Sequence, residues 1–423
     1  MPSSDSSVRC ARLDNGVRIV TEAMPDTPSA TLGIWVENGS RYEPRERAGI
    51  SHFLEHLFFK GTPTRSAAEI AEAFDAVGGY FNAFTGREQT CYYAKVLGEH
   101  LAVAQDVLAD ILRHSLFAVD EIDRERSVIV QEILQSEDNP DDHVHDVFLE
   151  RYWPNHPLSF PVHGSVGTVE RLRRDDFIDF VAERYRPDRL LVAAAGAVDH
   201  DAFVDWATTA LGDLRGASAP FPQASPTPAS GVHVIERELE QVHLCFGAAG
   251  VAQGSPNRFA AYLLNTVLGG GMSSRLFQEI REKRGRAYAV YSFLAPYSDG
   301  GYLGVYVGTS AEHVREVVDV IVAQLEDLSR NGITAAELAR AKNQLKGNLL
   351  LGLETSDSHM HRIARDMLVF GREVPLAEIA AAIDAATPDE IVAMAKHVAQ
   401  RDAMSVAILG SLGDERFDAS IFG

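Results

Sequence analysis

The residues best placed to do chemistry lie in Ser51-His52-Phe53-Leu54-Glu55-His56-Leu57-Phe58-Phe59, where two histidines stand four apart with a glutamate three after the first. On a helix of 3.6 residues per turn these three polar groups share one side. The remaining positions are so apolar that the helix should be buried. Gly61 and Pro63 supply its stop. Two imidazoles and a carboxylate on a buried helix require a compensating partner, because uncompensated buried ions are strongly destabilising. A divalent metal is the natural one. His52 and His56 can ligate zinc through neutral imidazole, and Glu55 can activate a bound water. The order inverts the commoner His-Glu-x-x-His motif. The competing reading is a pair of core histidines satisfied by hydrogen bonds.

A catalytic zinc usually takes three protein ligands and keeps a fourth position open, so a third ligand must come from elsewhere. The helical pattern from Asp120 to Glu137 carries Glu125 and Glu132, two turns apart and therefore on one face. A solvated surface is the alternative for either glutamate.

The elements that must position these groups follow from the pattern around them. Leu13-Asp14-Asn15-Gly16 reads as a hairpin turn, followed by strands over Val17 to Glu22 and Ala30 to Val36. Ser66-Ala67-Ala68-Glu69 is a capping box opening a helix. Tyr80 to Lys95 alternates as strand, broken by a turn at Thr85-Gly86-Arg87. Helices are expected near Glu99 to His114, Asp120 to Glu137 and Asp175 to Tyr185, with a strand over Leu190 to Val198. The Pro-, Ala- and Ser-rich stretch 216–230 reads as a linker.

Beyond it the pattern restarts. Gly285-Arg286-Ala287-Tyr288 answers Gly78-Gly79-Tyr80-Phe81, Glu312-His313 answers Glu99-His100, Thr334-Ala335-Ala336-Glu337 is a capping box, and Thr387-Pro388-Asp389-Glu390 starts a helix. The chain is therefore read as α+β, two copies of one α/β-sandwich domain with a mixed, mainly antiparallel sheet flanked by helices. The domains are 1–215, which would bind the metal, and 231–423. At the matching offsets the second copy has Phe259, Tyr262 and Leu263 in place of His52, Glu55 and His56. The fold does not need those polar groups, which argues against the core-histidine reading. By the same control, His143 and His145 have counterparts in His359 and His361, so a structural role common to both halves is expected there.

Composition narrows the function. A net charge of −21 leaves no basic surplus for a phosphate backbone, so no nucleic-acid partner is expected. It favours basic partners or substrates. Cys10, Cys91 and Cys245 are odd in number and widely spaced, as in a reducing compartment. Neither a bilayer-length apolar run nor a leader is evident, so a cytoplasmic protein with no membrane association is expected.

Taken together, these residues resemble the pitrilysin–insulysin metallopeptidases, the inverzincins, in the short-chain branch with the mitochondrial processing peptidase β-type subunit. The resemblance covers nearly the whole chain. In that family a ligand glutamate follows the second motif histidine by 76 residues, which is Glu132 here. Glu125 matches an outer-shell acid that supports the metal site. Asn82-Ala83-Phe84-Thr85 resembles the edge strand on which the family lays its substrate. Gly269-Gly270-Gly271 and the residues after it resemble the glycine-containing loop of the second domain. Arg281 and Tyr288 match the family's substrate-contacting pair, with Tyr288 placed to stabilise an oxyanion.

The resemblance implies one Zn2+ per chain, held by His52, His56 and Glu132, and Glu55 as the base in peptide hydrolysis. It implies an endopeptidase acting on unfolded peptides or presequence-like segments, basic ones by charge, inside a chamber closed by a dimer. A homodimer is expected because both residue sets are present; a heterodimer is the variant. The reading from another class is a noncatalytic organising or substrate-binding subunit of a larger complex.

Overall fold

Asn15-Gly16 turns the chain between strands β1 (Val8–Arg12) and β2 (Arg18–Ala23), which pair antiparallel. The structure, a computed structural model, describes residues 7–221 and 224–422. Next come β3 (Ser29–Val36), helix α1 (Ile50–Leu57) and helix α2 (Ala67–Asp75), whose Ser66 capping box forms as expected. Strands β4 (Tyr80–Thr85) and β5 (Thr90–Leu97) precede helices α3 (Leu101–His114), α4 (Val119–Asp138) and α5 (Pro140–Tyr152), then β6 (Leu190–Gly196). The later half carries β7 (Gly231–Glu236), β8 (Val242–Ala249), α6 (Arg258–Gly269), β9 (Ala289–Pro296) and β10 (Gly301–Thr309). Helices α7 (Val314–Asn331), α8 (Ser356–Phe370) and α9 (Pro388–Val398) lead to β11 (Ser405–Gly410).

These elements form two mixed sheets flanked by helices, the α+β architecture the periodicity implies. The first sheet runs β1-β2-β6-β3-β5-β4 and the second β7-β11-β8-β10-β9. In each, one pair is parallel (β2 with β6, β7 with β11) and the others are antiparallel. Dropping β1 makes the two orders superimpose strand for strand, so the duplication is written in the topology.

The chain divides into two compact units. One comprises residues 7–134, 160–221 and 351–375; the other comprises 135–159, 224–350 and 376–422. Helix α5 thus belongs with the second sheet and α8 with the first. In the first unit, Leu32, Ile34, Tyr92 and Val192 pack with Phe53, Leu57, Val107 and Leu108 on one face of the sheet. On the other face Trp35, Cys91, Leu191 and Ala193 pack against Met360, Ile363 and Met367 of α8. Covered on both sides, β6 is buried at every position, which is why it reads as an unbroken apolar run.

In the second unit α5 covers its sheet through Phe148 and Tyr152, against Cys245, Tyr302 and Tyr306. Each crossing helix presses on a glycine. A Cβ at Gly33 would come 2.8 Å from Met360 Sδ, and one at Gly247 would come 2.0 Å from Phe148 Cζ. Among the described residues no helix is long and apolar enough to cross a membrane.

Candidate metal centre

Helix α1 starts at Gly49, whose φ of +93° suits glycine and where a Cβ would stand 2.5 Å from the His163 carbonyl oxygen. Such a start offers no side-chain cap, yet the first amides still need acceptors. Glu43 provides them. Its two carboxylate oxygens accept the Gly49 and Ser51 N–H groups, each at 2.7 Å. Burial pushes the Glu43 carboxyl up to about 7, against these amide hydrogen bonds, which favour the charged form. Asn38 donates to the Ser51 hydroxyl at 3.1 Å. Below, Phe53, Leu54, Leu57 and Phe58 are almost wholly inaccessible, so the helix is held at its start and along its apolar side.

The opposite side carries His52, Glu55 and His56, all partly buried. Glu132, from α4, brings Oε2 to 3.7 Å from His52 Nε2 and 3.6 Å from His56 Nε2. One donor atom from each of the three residues lies within 4.8 Å of the others, the only such group of three or more found among the described residues. Separations of 3.6 and 3.7 Å are too long for hydrogen bonds. They approximate the edge of a tetrahedron, about 3.4 Å, around an ion with ligand bonds near 2.1 Å. The donor set, two nitrogens and one carboxylate oxygen, also suits zinc, so the residues present fit the group.

Glu125, two turns earlier on α4, is buried, with Oε2 3.1 Å from His56 Nδ1 and Oε1 2.7 Å from Lys60 Nζ. Accepting an Nδ1–H there leaves the Nε2 lone pair of His56 for the ion. His52 has no counterpart of Glu125: its Nδ1 is buried without a hydrogen-bond partner among the described residues. Burial, then the neighbouring His56 and His163, lower the His52 pKa to about 4.

The sign of its effect on stability follows. An imidazole held neutral contributes stability fully present above its unfolded pKa, near 6.5, and lost as pH falls toward 4. That contribution is on the order of 3 kcal/mol. Glu43, pushed up to about 7, works in the opposite direction over the same window, so the effect is read as a difference: between pH 7 and 4.5 the urea midpoint of the metal-free protein should lose ground relative to that of His52→Gln. Equal slopes for the two proteins would show that His52 is not the group responsible.

Glu55 accepts a hydrogen bond from the Thr85 hydroxyl at 2.5 Å. Burial raises its carboxyl above the usual range, and the Thr85 hydrogen bond opposes that rise. Thr85 ends β4, which among the described residues pairs only with β5 and so forms one edge of the first sheet. Along it the side chains alternate. Phe81 packs on Phe59 and Phe74, while Phe84 faces Trp35 and His361. The Asn82 side-chain oxygen accepts the Ala83 N–H at 2.9 Å.

Arg281 and Tyr288 belong to the second unit, on the six-residue π-helical segment Phe277–Glu282 and just before β9. The Arg281 guanidinium carbon lies 4.8 Å from the ring centroids of both Phe277 and Tyr288, and Tyr288 is 78% exposed. His145 sits with Nδ1 3.5 Å from Cys245 Sγ and stacks on Tyr306, inside the packing of α5 on its sheet. Phe259, Tyr262 and Leu263 fall on α6, the helix equivalent to α1.

Glu43 and Lys60 have no counterpart in the sequence reading, and Thr85 stood there only as the end of the edge strand, not as a partner of Glu55. Only Glu43 left a trace, in a helix start with no capping side chain of its own.

A model of the insulinase family, peptidase family M16, matches residues 18–165, and one described as the peptidase M16 inactive domain matches residues 171–345. The chain is 42% identical over 420 residues to an uncharacterized zinc protease of Mycobacterium tuberculosis, spanning 98% of this chain and 96% of that protein. An uncharacterized zinc protease of Bacillus subtilis is 40% identical over 400 residues, 95% of this chain and 97% of its own length. Two solved structures share the fold. A peptidase M16 inactive domain from Pseudomonas fluorescens has a TM-score of 0.88 at 20% identity, covering 97% of this chain and 99% of that one. A protease from Helicobacter pylori has a TM-score of 0.89 at 22% identity, covering 96% and 99%.

Proposed function

The chain belongs to the insulinase family, peptidase family M16, and from that premise we propose that it is a zinc-dependent endopeptidase of unfolded peptides or presequence-like segments. The observation that carries the reading is the convergence of His52 and His56 Nε2 on one oxygen of Glu132. These helix positions hold Phe259, Tyr262 and Leu263 in the other repeat, so architecture does not demand the polar groups. His52, His56 and Glu132 would hold the ion. When bound, zinc supplies Lewis acidity toward a peptide carbonyl and makes a water more acidic.

The rest is done by the chain's own residues. Glu55 takes the proton of the attacking water and later passes it to the leaving amine. Glu125, braced by Lys60, fixes the ring of His56. The edge strand β4 receives the peptide along Asn82, Ala83 and Phe84, where backbone hydrogen bonds give affinity without dictating sequence. Until then the Asn82 side chain occupies the Ala83 N–H. On the family pattern, Arg281 holds a peptide carbonyl and Tyr288 the oxyanion. The acidic balance of the chain favours basic peptides.

The description "inactive domain" attaches to the model over residues 171–345, a span that includes the hydrophobic counterparts of the ligands. It therefore does not favour a noncatalytic subunit, which would have no use for an intact base and three ligands. Two chains are expected to close the chamber, as a homodimer.

The test is elemental analysis of the purified chain together with cleavage of a quenched basic peptide. One zinc per chain is expected, with cleavage lost to a chelator and restored by zinc. Cleavage indifferent to the chelator would remove the metal from the reaction. Sedimentation of the same sample at micromolar concentration tests the pairing, and a lone 46.2 kDa species would dismiss it.

A further inference from the structure

A general base on a helix needs more than proximity. Its carboxylate must be turned so that one oxygen faces the reacting water, and a side chain with free torsions does not hold that orientation unaided. In this chain the hold comes from outside α1. The Thr85 hydroxyl donates to Glu55 Oε2 at 2.5 Å, and the Thr85 backbone N–H also bonds the carboxylate.

Thr85 is itself anchored. It pairs with Thr90 across the β4–β5 hairpin. The turn beyond it is closed by Gly86 N–H on the Gln89 carbonyl at 2.7 Å. That turn is pinned from the other side by the Ser40 N–H on the Gly86 carbonyl at 3.2 Å and the Arg41 N–H on the Arg87 carbonyl at 2.8 Å. A donor so fixed can set the direction of a carboxylate.

Resting on the endopeptidase reading, we propose that Thr85 is the positioning residue of the Glu55 base. Because Thr85 closes the edge strand that receives the peptide, it registers the base to the bound backbone as well as to the metal helix. The strand that holds the peptide and the group that takes the proton are then one mechanical unit, joined through Thr85.

The test uses the zinc-loaded full chain with a quenched peptide, in Thr85→Val and Thr85→Ser. Valine keeps the β-branched shape that suits a strand and loses the hydroxyl; serine keeps the hydroxyl. Thr85→Val should lower kcat by about tenfold to a hundredfold, the range of one hydrogen bond to a charged group, with KM within about twofold. Thr85→Ser should recover most of kcat. The visible spectrum of the cobalt-loaded Thr85→Val protein should match that of the unmodified chain, since no metal ligand is touched.

An unchanged kcat in Thr85→Val overturns the proposal. So does a serine variant as slow as the valine one, or a loss confined to KM, which would assign Thr85 to strand geometry alone. A zinc-loaded unmodified chain that cleaves nothing sinks the endopeptidase reading, and this assignment with it. Failure of the variants beside an active parent sinks only the assignment.

Discussion

Glu55→Gln is expected to keep zinc at one per chain while losing about a hundredfold to ten-thousandfold in peptide turnover, the span of general acid–base catalysis. The substitution is nearly isosteric. The amide oxygen can still accept the Thr85 hydroxyl, and the buried side of α1 is untouched. The three ligand candidates are His52, His56 and Glu132, and Glu55 is not among them, so metal content should hold. What goes is the capacity to accept a proton. Zinc content, chelator-competition affinity and turnover measured on one preparation separate these effects. Turnover retained within about tenfold would strip Glu55 of its role. Lost turnover together with lost zinc would instead make it part of the metal cage.

That prediction was reachable from sequence because α1 is a local object. The three polar side chains fall on one side through helical periodicity alone, and the second repeat supplied the contrast that made them stand out. Glu132 was reachable only by resemblance. Nothing in the pattern of α4 distinguishes a glutamate facing two histidines from one facing water, and its side chain is in fact 42% exposed. Strand positions were legible from alternation and turns; the order of strands in the sheet was not. Alternation could not say that β4 is an edge, because an edge strand and a central one share the same period.

The placement of the crossing helices was the larger omission. An amphipathic helix declares that it has an apolar face, not which sheet will cover it. Helices α5 and α8 therefore gave no sign that each belongs with the sheet of the other half of the sequence. Gly33 and Gly247 are the imprint of that exchange, small because Met360 and Phe148 press on them. Nothing in the sequence beside them names the side chain that does so. The contacts of Lys60 with Glu125 and of Thr85 with Glu55 were illegible for a related reason. They join residues 65 and 30 apart, and neither spacing has a period that marks it.

The two glutamates of α4 provide the sharpest test of the metal assignment, because the same chemical change should have unequal consequences a mere two turns apart. Glu132→Gln removes a ligand candidate whose side chain is 42% exposed and makes no ion pair beyond the two histidines among the described residues, so folding should notice little. Zinc affinity should fall by more than a hundredfold, beyond the tenfold-to-hundredfold range of outer partners, and turnover at limiting zinc should fall with it. Glu125→Gln removes a buried acceptor bonded to both His56 and Lys60. It should weaken zinc by about tenfold to a hundredfold and also lower stability, since Lys60 loses its carboxylate. Competition with a chromophoric chelator and urea denaturation of the metal-free proteins measure the two quantities separately. The expected pattern is crossed: Glu132→Gln worse for metal and milder for stability, Glu125→Gln the reverse. If Glu132→Gln bound zinc as tightly as the parent, its carboxylate would be a bystander beside the imidazoles and the third ligand would have to be sought elsewhere. If Glu125→Gln were the more damaging to affinity, the two residues would have to exchange roles.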